Sequence, residues 1–522
     1  MRLFWLVVGA LALAGAYGAQ MLRWLRVLQR EHYEPASMAR FWRRWTWGSL
    51  RYTRVGTLHR FRPLSLSYLM WCTFPLTLLV ALVAHRAAVF VIAAVVYGIW
   101  CPWHLTPTGR TSALQWTRRL RTVAAAGLGT SIIVVILGLV LGQLLVAAAL
   151  TVWIVPFTLA LAARGLAPYE GRLAGRFVTQ AQQRLARVHP VVVGITGSYG
   201  KTSTKNHLAD LLRGDGGVVA TPKSFNNRAG LSRAINEGLA DATRVFIAEM
   251  GTYGPGEIAD LCAWCPPDIS VVTAIGPVHL ERMKSLDVIE SAKFEITESA
   301  RVVVVNVDDD RLAQWPRRLG ERRVRTAGST RAADVAVVTD EGRWHVWVDG
   351  EEVAQLDPVV GLQATNVACA IAVALEVGVL TSELPRRLAA LTPVANRAHV
   401  VVAPSGVVVV DDTFNANPAS ARASLAILES LDVTGRRVVV TPGLIELGRE
   451  QAPLNEDLGR DVRRRGMELV VVGRTNAGGL SVGFGAETRH FRVRDQAVAW
   501  VREALVAGDA VLYLNDLPDH YP

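Results

Sequence analysis

From Thr122 to Ala163 the chain carries no charged residue. A helix needs about 20 apolar residues to cross the hydrocarbon core of a bilayer, so this run is long enough for two crossings. Backbone groups that meet no water must pair within their own segment, which makes the run a helical hairpin with its turn near Gly142 and Gln143. Three further uncharged runs come before it, at 3–22, about 66–84 and about 87–105, the last two separated by His85 and Arg86. The first has no small-x-small site followed by polar sequence, so it reads as a span and not as a cleaved leader. The expectation is a membrane region over residues 1–165 with five helices.

Charge fixes the expected orientation. The whole chain is formally +11, yet residues 1–165 hold seventeen arginines, no lysine and only two acids, Glu31 and Glu34, and the remainder is net acidic. That asymmetry argues against a nucleic-acid partner, since the basic excess sits where the chain is most apolar. Arg23, Arg26, Arg30, Arg40, Arg43, Arg44, Arg51, Arg54, Arg60 and Arg62 lie in one loop; Arg110, Arg118, Arg119 and Arg121 lie in another. Both loops fall on the cytoplasmic side if the N-terminus is outside and five helices alternate. Trp24, Trp42, Trp45, Trp47, Trp100 and Trp103 stand near the span edges, where indole rings anchor at the interface. The reading is a multi-pass protein of the cell membrane, in contact with lipid, with everything after Arg164 in the cytoplasm. No Asp, Glu or Lys lies inside a span, so the helices read as an anchor and not as an ion path.

After a polar helical connector at 166–189, short β-branched runs alternate with helical stretches: 191–196, 245–250, 269–275 and 301–307. Such alternation predicts βαβ units on a parallel sheet buried on both faces, here a central domain at 190–399. A second set at 399–412, 436–443, 469–473 and 510–514 predicts a smaller Rossmann-like α/β domain at 400–522. Cys262 and Cys265 form a single C-x-x-C pair without the second ligand pair that a zinc site needs.

The first chemical signal is T-G-S-Y-G-K-T-S, Thr196 to Ser203, after a strand and opening a helix. Backbone N–H groups of Gly197, Ser198, Tyr199 and Gly200 can cradle phosphate there. Lys201 adds a point charge, and the hydroxyls of Thr202 and Ser203 follow, one of them for Mg²⁺. The spacing is not that of the usual P-loop: Ile195 stands where its first glycine is expected, and Gly197 supplies the turn.

In this setting T-G-x-x-G-K-T resembles the ATP loop of the Mur ligase superfamily, the ATP-dependent amide ligases. Six later motifs agree in order. Ser224-Phe225-Asn226-Asn227 with Gly230-Leu231 is similar to the family's N-N-x-x-G-L segment, which places Asn226 and Asn227 at the substrate. The resemblance makes Glu249 in I-A-E-M-G a Mg²⁺ ligand, and puts His279 in A-I-G-P-V-H-L-E-R-M-K-S at a second metal. Lys293 matches a lysine that is carbamylated in many members, so two Mg²⁺ sites are implied, with Thr202, Glu249, His279 and Lys293 as ligands. Asp411 to Pro418, D-D-T-F-N-A-N-P, and Gly443 to Gly448, G-L-I-E-L-G, are closest to the MurF type. By the same likeness Asn366 and Arg397 contact the nucleotide, and Asp411, Asn415 and Asn417 face it from the second domain. Lys201, His279 and Lys293 are the implied catalytic residues.

What the resemblance implies is a carboxylate activated by ATP as an acyl phosphate and attacked by an amine, in cell-wall precursor synthesis. Two departures stand out. The position of the domain that grips a UDP-sugar is taken by membrane helices, and the expected C-terminal V-L-x-K-G-S reads V-L-Y-L-N-D. A carboxylate substrate that is itself lipid-linked would suit a tethered site. A poly-γ-glutamate-type ligase and a non-catalytic scaffold are the competing readings; the N-A-N-P segment opposes the first and an intact Lys201, Thr202, Glu249, His279 and Lys293 the second.

Overall fold

The structure is a computed structural model describing every residue except 1, 52–65, 84–86, 103–104, 109–112, 223–224, 360, 393–397, 415, 486–487, 517–520 and 522. Arg54, Arg60, Arg62, Trp103, Arg110, Ser224, Arg397 and Asn415 therefore lie outside the described residues. The chain divides into two compact units, Met1–Leu173 with Leu517–Pro522, and Ala174–Asp516.

The first unit is helical: α1 (Arg2–Arg30), α2 (Pro35–Arg51), α3 (Leu66–Val83), α4 (Ala87–Trp100), α5 (Arg118–Val140) and α6 (Leu144–Val188). α5 and α6 form the expected hairpin. Gly142 takes a left-handed φ of 69° at the turn, and Gln143 N–H donates to Gly138 O at 2.6 Å. These two helices are long and apolar enough to cross a membrane. α4, at 14 residues, is shorter than the expected run and than a full crossing requires. α6 continues unbroken through Pro156 and Pro168 to Val188, so the connector expected at 166–189 is mostly the end of that helix. Between α1 and α3 a loop was expected; instead α2 buries Met38, Phe41 and Trp45 and presents Arg43 outward. Its apolar residues recur at helical spacing among the arginines, a pattern that charge counting overlooks.

In the second unit nine strands form one sheet: β1 (Val191–Thr196), β2 (Val218–Ala220), β3 (Val245–Glu249), β4 (Ile269–Val272), β5 (Val302–Asn306), β6 (Arg323–Gly328), β7 (Val335–Asp340), β8 (Arg343–Val348) and β9 (Glu351–Leu356). Their order is β2-β3-β1-β4-β5-β6-β7-β8-β9. Pairing is parallel as far as β7 and antiparallel from β7 to β9, so the sheet is mixed and not the all-parallel one expected. The two hairpins turn on Glu341-Gly342 and Asp349-Gly350, both pairs with positive φ, as tight turns between right-twisted strands require. β1, β3, β4 and β5 are buried almost throughout, as strands covered on both faces must be.

The smaller sheet holds β10 (His399–Val402), β11 (Val408–Asp412), β12 (Arg437–Thr441), β13 (Glu468–Val472), β14 (Arg489–Phe491) and β15 (Ala510–Leu514), in the order β10-β11-β15-β12-β13-β14. It is parallel apart from the β10–β11 pair.

Candidate active site

β1 lies between β3 and β4, and the connections that leave the C-terminal ends of β1 and β4, to β2 and β5, run in opposite directions along the sheet. That is where an open α/β sheet leaves a crevice for a ligand. The loop Gly197–Gly200 follows and opens α7 (Lys201–Leu211), with Gly200 as its left-handed N-cap at φ 77°. A side chain on Gly200 would run into Asn366, and one on Gly197 into Thr273. The loop is pinned from below. Ser198 N–H donates to Ala274 O at 2.7 Å, Gly276 N–H donates to Ser198 Oγ at 2.9 Å, and Thr273 Oγ1 donates to Tyr199 O. The Tyr199 ring fills the space over Gly276, and burial near Asp309 raises its phenol above the usual tyrosine range. Lys201 Nζ donates to Gly197 O at 2.5 Å and so closes the loop on itself.

Glu249 ends β3 beside this loop, in register with Ile195. Its Oε2 accepts from Thr202 Oγ1 at 3.0 Å and from Lys205 Nζ at 3.1 Å; its Oε1 accepts from Asn226 Nδ2 at 3.1 Å. Three expected residues, Thr202, Asn226 and Glu249, are thus in direct contact. Lys205 was not anticipated, although it lies one helical turn beyond Lys201, on the same face of α7. Asn227 turns away and caps α8 (Arg228–Gly238), its Oδ1 accepting from Gly230 N–H at 2.9 Å.

Lys201, Asn226, Tyr253, His279 and Lys293 line one cleft. Lys293 is 2% exposed, and burial together with the nearby charge of Lys201 holds its amine well below the ordinary lysine range. His279 has a left-handed backbone at φ 53°, stacks edge-on against Tyr253 at 4.6 Å, and hydrogen-bonds through Nδ1 to Glu446. Glu446 belongs to the second α/β domain and was not among the expected site residues.

The remaining expectations sit elsewhere. Asn366 is buried under the loop, where Thr204 Oγ1 donates to its Oδ1 at 3.5 Å and its Nδ2 donates to Gln363. Asp411 accepts from the backbone and hydroxyl of Thr413, and Asn417 caps the helix Pro418–Ser430 in a reciprocal pair with Ser420. Among the described residues no three His, Cys, Asp or Glu side chains come together as a metal cluster, so the second implied Mg²⁺ site is not seen as a three-ligand set. The first fits: a hydroxyl and a carboxylate in contact are hard oxygen donors of the kind Mg²⁺ takes.

Residues 195–374 match the Mur ligase middle domain and residues 396–514 the glutamate ligase domain of Mur ligases. A UDP-N-acetylmuramoyl-tripeptide–D-alanyl-D-alanine ligase of Mycobacterium leprae is 33% identical over 374 residues, covering 62% of this chain and 70% of its own. The enzyme of that name from Mycobacterium tuberculosis is 34% identical over 356 residues, covering 62% and 69%. Among solved structures, the MurF ligase of Thermotoga maritima in complex with ADP superposes with a TM-score of 0.58 at 26% identity. It covers 66% of this chain and 80% of that one.

Proposed function

The chain belongs to the Mur ligase family and is an ATP-dependent carbon–nitrogen ligase; we propose that it builds an amide bond in peptidoglycan precursor assembly, on a carboxylate substrate held at the membrane. What carries the reading is one cleft that gathers Lys201, Asn226, His279 and Lys293 at the end of β1, next to Thr202 on Glu249. A carboxylate is a poor electrophile. Transfer of the γ-phosphoryl group of ATP to its oxygen gives an acyl phosphate and ADP; an amine then attacks the acyl carbon, phosphate leaves with the oxygen, and the amine loses a proton. Both steps depend on positioning and on neutralising charge.

The loop amides of Gly197–Gly200 and the α7 N-terminus are read as the cradle for the nucleotide phosphates, with Lys201 on the β- and γ-phosphates. Thr202 and Glu249 would hold a Mg²⁺, whose contribution when bound is to offset phosphate charge. Glu249, His279 and Lys293 are assigned to the second ion. A buried neutral amine adds CO₂, releasing a proton and leaving an anionic carbamate, which converts Lys293 from a repelling cation to an oxygen donor. Asn226, on Glu249 at the rim of the cleft, is assigned to substrate, and Asn227 to the form of the segment that carries it. Asn366, under Gly200, supports the nucleotide loop in this reading. Arg397, Asp411, Asn415 and Asn417 are assigned to the second domain's contribution around the nucleotide.

For the membrane half, a multi-pass anchor with the catalytic unit in the cytoplasm remains our reading, the third of its five expected spans being cut short in α4. Its support is the apolar surface of the first unit: Ile132, Ile133, Ile136, Leu137, Leu139 and Val140 of α5 are all exposed, and contiguous exposed apolar surface of this kind suits lipid. The relatives are named for joining D-alanyl-D-alanine to a UDP-muramoyl tripeptide; here an amino acid or dipeptide amine would meet a lipid-linked muramoyl peptide. Detergent-solubilised full chain with ATP, each amine and an ¹⁸O-labelled carboxylate should release phosphate carrying one ¹⁸O. Release of unlabelled phosphate would refute the acyl phosphate, and equal turnover of the UDP-linked and lipid-linked acids would refute the membrane-held substrate.

A further inference from the structure

We propose that Glu446 is the residue that positions His279, so that the second α/β domain sets the imidazole which the first domain presents to the cleft. An ionised carboxylate only accepts hydrogen bonds, so the contact between Glu446 Oε2 and His279 Nδ1 puts the proton of the neutral ring on Nδ1. The Nε2 lone pair is then the one available to a ligand, and the ring plane is fixed by Tyr253 packed edge-on against it. A histidine held through its second nitrogen by a carboxylate is the usual way a protein selects tautomer and orientation at a metal.

Both ends of the contact are prepared. His279 and Glu446 each have a left-handed backbone, φ 53° and 63°, a conformation that non-glycine residues adopt only when their surroundings enforce it. The segment carrying Glu446 is held by buried amides. Asn455 accepts from Leu444 N–H at 2.8 Å and donates to Leu444 O at 2.9 Å, Asn476 donates to Pro442 O at 2.9 Å, and Asn515 donates to Gly443 O at 2.7 Å. Gln451 completes the set by donating to Asn476 Oδ1 at 2.8 Å. Four amides spent on one short turn give it a single position, and a fully satisfied buried network is rigid. On the facing side Glu281 N–H donates to Glu446 O at 3.3 Å, and the left-handed Gly448 packs against the backbone of Leu280.

The inference rests on the role assigned to His279, and a double-mutant cycle separates the two. Single-turnover ADP formation is measured with the full chain in excess over ATP, for wild type, Glu446→Gln, His279→Ala and the double variant. Loss of an orienting partner costs about 10- to 100-fold in rate. Glu446→Gln should show that loss while the dissociation constant for ADP, read by isothermal titration, changes less than about twofold. On the His279→Ala background the same substitution should cost nothing further, because its effect runs through the ring. An equal loss on both backgrounds would mean that Glu446 only braces the fold and would overturn the proposal, as would a wild-type rate for Glu446→Gln. A wild-type rate for His279→Ala would instead overturn the role of His279 and this inference with it.

Discussion

Lys205 Nζ lies 3.1 Å from Glu249 Oε2, and both side chains are almost completely sealed from solvent, at 2% and 1% exposure. The carboxylate is further held by Thr202 and Asn226, so the loop, β3 and the segment before α8 meet on one buried anion. Removing one member of such a pair strands the other. Lys205→Met should therefore destabilise the second unit by about 3–5 kcal/mol, seen as a lower unfolding temperature of the detergent-solubilised chain. An unchanged melt would mean that the pair is not what holds Glu249.

Gly200 is fixed for two reasons, its φ of 77° and the Asn366 side chain that sits where a Cβ would be. Left-handed backbone costs about 1–2 kcal/mol for a residue with a side chain, before Asn366 is displaced. Gly200→Ala should raise the dissociation constant for ADP at least about tenfold, since 1.4 kcal/mol is a factor of ten. Isothermal titration with ADP measures this without any need for the acid or the amine. Affinity at the wild-type level would show that the loop bends elsewhere.

Asn366 and Lys205 also show what a linear reading retains and what it loses. The alternation of β-branched runs and helices, and the glycines around Lys201, are local, and they mark the sheet and the phosphate loop because hydrophobic period and turn chemistry are encoded within a few residues. The Asp349-Gly350 hairpin was as local, and its D-G pair between alternating residues is a signal for β8 and β9 that an expectation of βαβ units hides. Glu446 is of another kind. It stands 167 residues from His279, and nothing in either neighbourhood announces the pairing until two domains are folded against each other. Asn417 shows the converse: an Asn-Pro-Ala-Ser start is also a local helix-cap signal, which the motif likeness leaves unread, and the structure has that cap.

His207, on the buried face of α7, has no partner for Nδ1 among the described residues, and burial depresses its pKa from 6.5 to about 4. Between those values the unfolded chain binds a proton that the folded chain refuses. Stability is therefore complete above about pH 6.5 and is lost as pH falls toward 4, by up to roughly 3 kcal/mol. The melting temperature of the wild type should fall across that window faster than that of His207→Gln, whose side chain does not titrate. Parallel curves would show that His207 stays solvated.

A carbamate on Lys293 would make turnover depend on dissolved CO₂. Burial beside the charge of Lys201 shifts the Lys293 amine toward the neutral, nucleophilic form, which favours carbamate formation when CO₂ is present. Enzyme prepared in degassed, CO₂-free buffer should lose most of its activity and regain it on adding bicarbonate. Lys293→Arg keeps a cation of similar length, remains protonated and forms no stable carbamate under these conditions, so it should be inactive under both conditions. Bicarbonate-independent turnover of the wild type would remove the carbamate from the site.

The hairpin between α5 and α6 gives the membrane reading its sharpest test. Its turn, Leu141-Gly142-Gln143, has uncharged helix on both sides, whereas Arg118, Arg119 and Arg121 crowd the opposite end of α5. Arginine excess stays on the cytoplasmic side because moving it across the bilayer is costly, so in the proposed topology that end would be inside and the turn outside. With Cys72 and Cys101 replaced by serine, Gln143→Cys should react with a membrane-impermeant maleimide in intact cells. Gln115→Cys, just before α5, should react only after the cells are opened. The same geometry requires Ala174→Cys, far along α6, to be protected in intact cells, since α6 returns to the arginine side. Labelling of Gln115 and Ala174 from outside with protection of Gln143 would invert the topology and put the ATP site on the wrong side of the membrane. Labelling of none in opened cells would show that α5 and α6 pack as a core and do not cross.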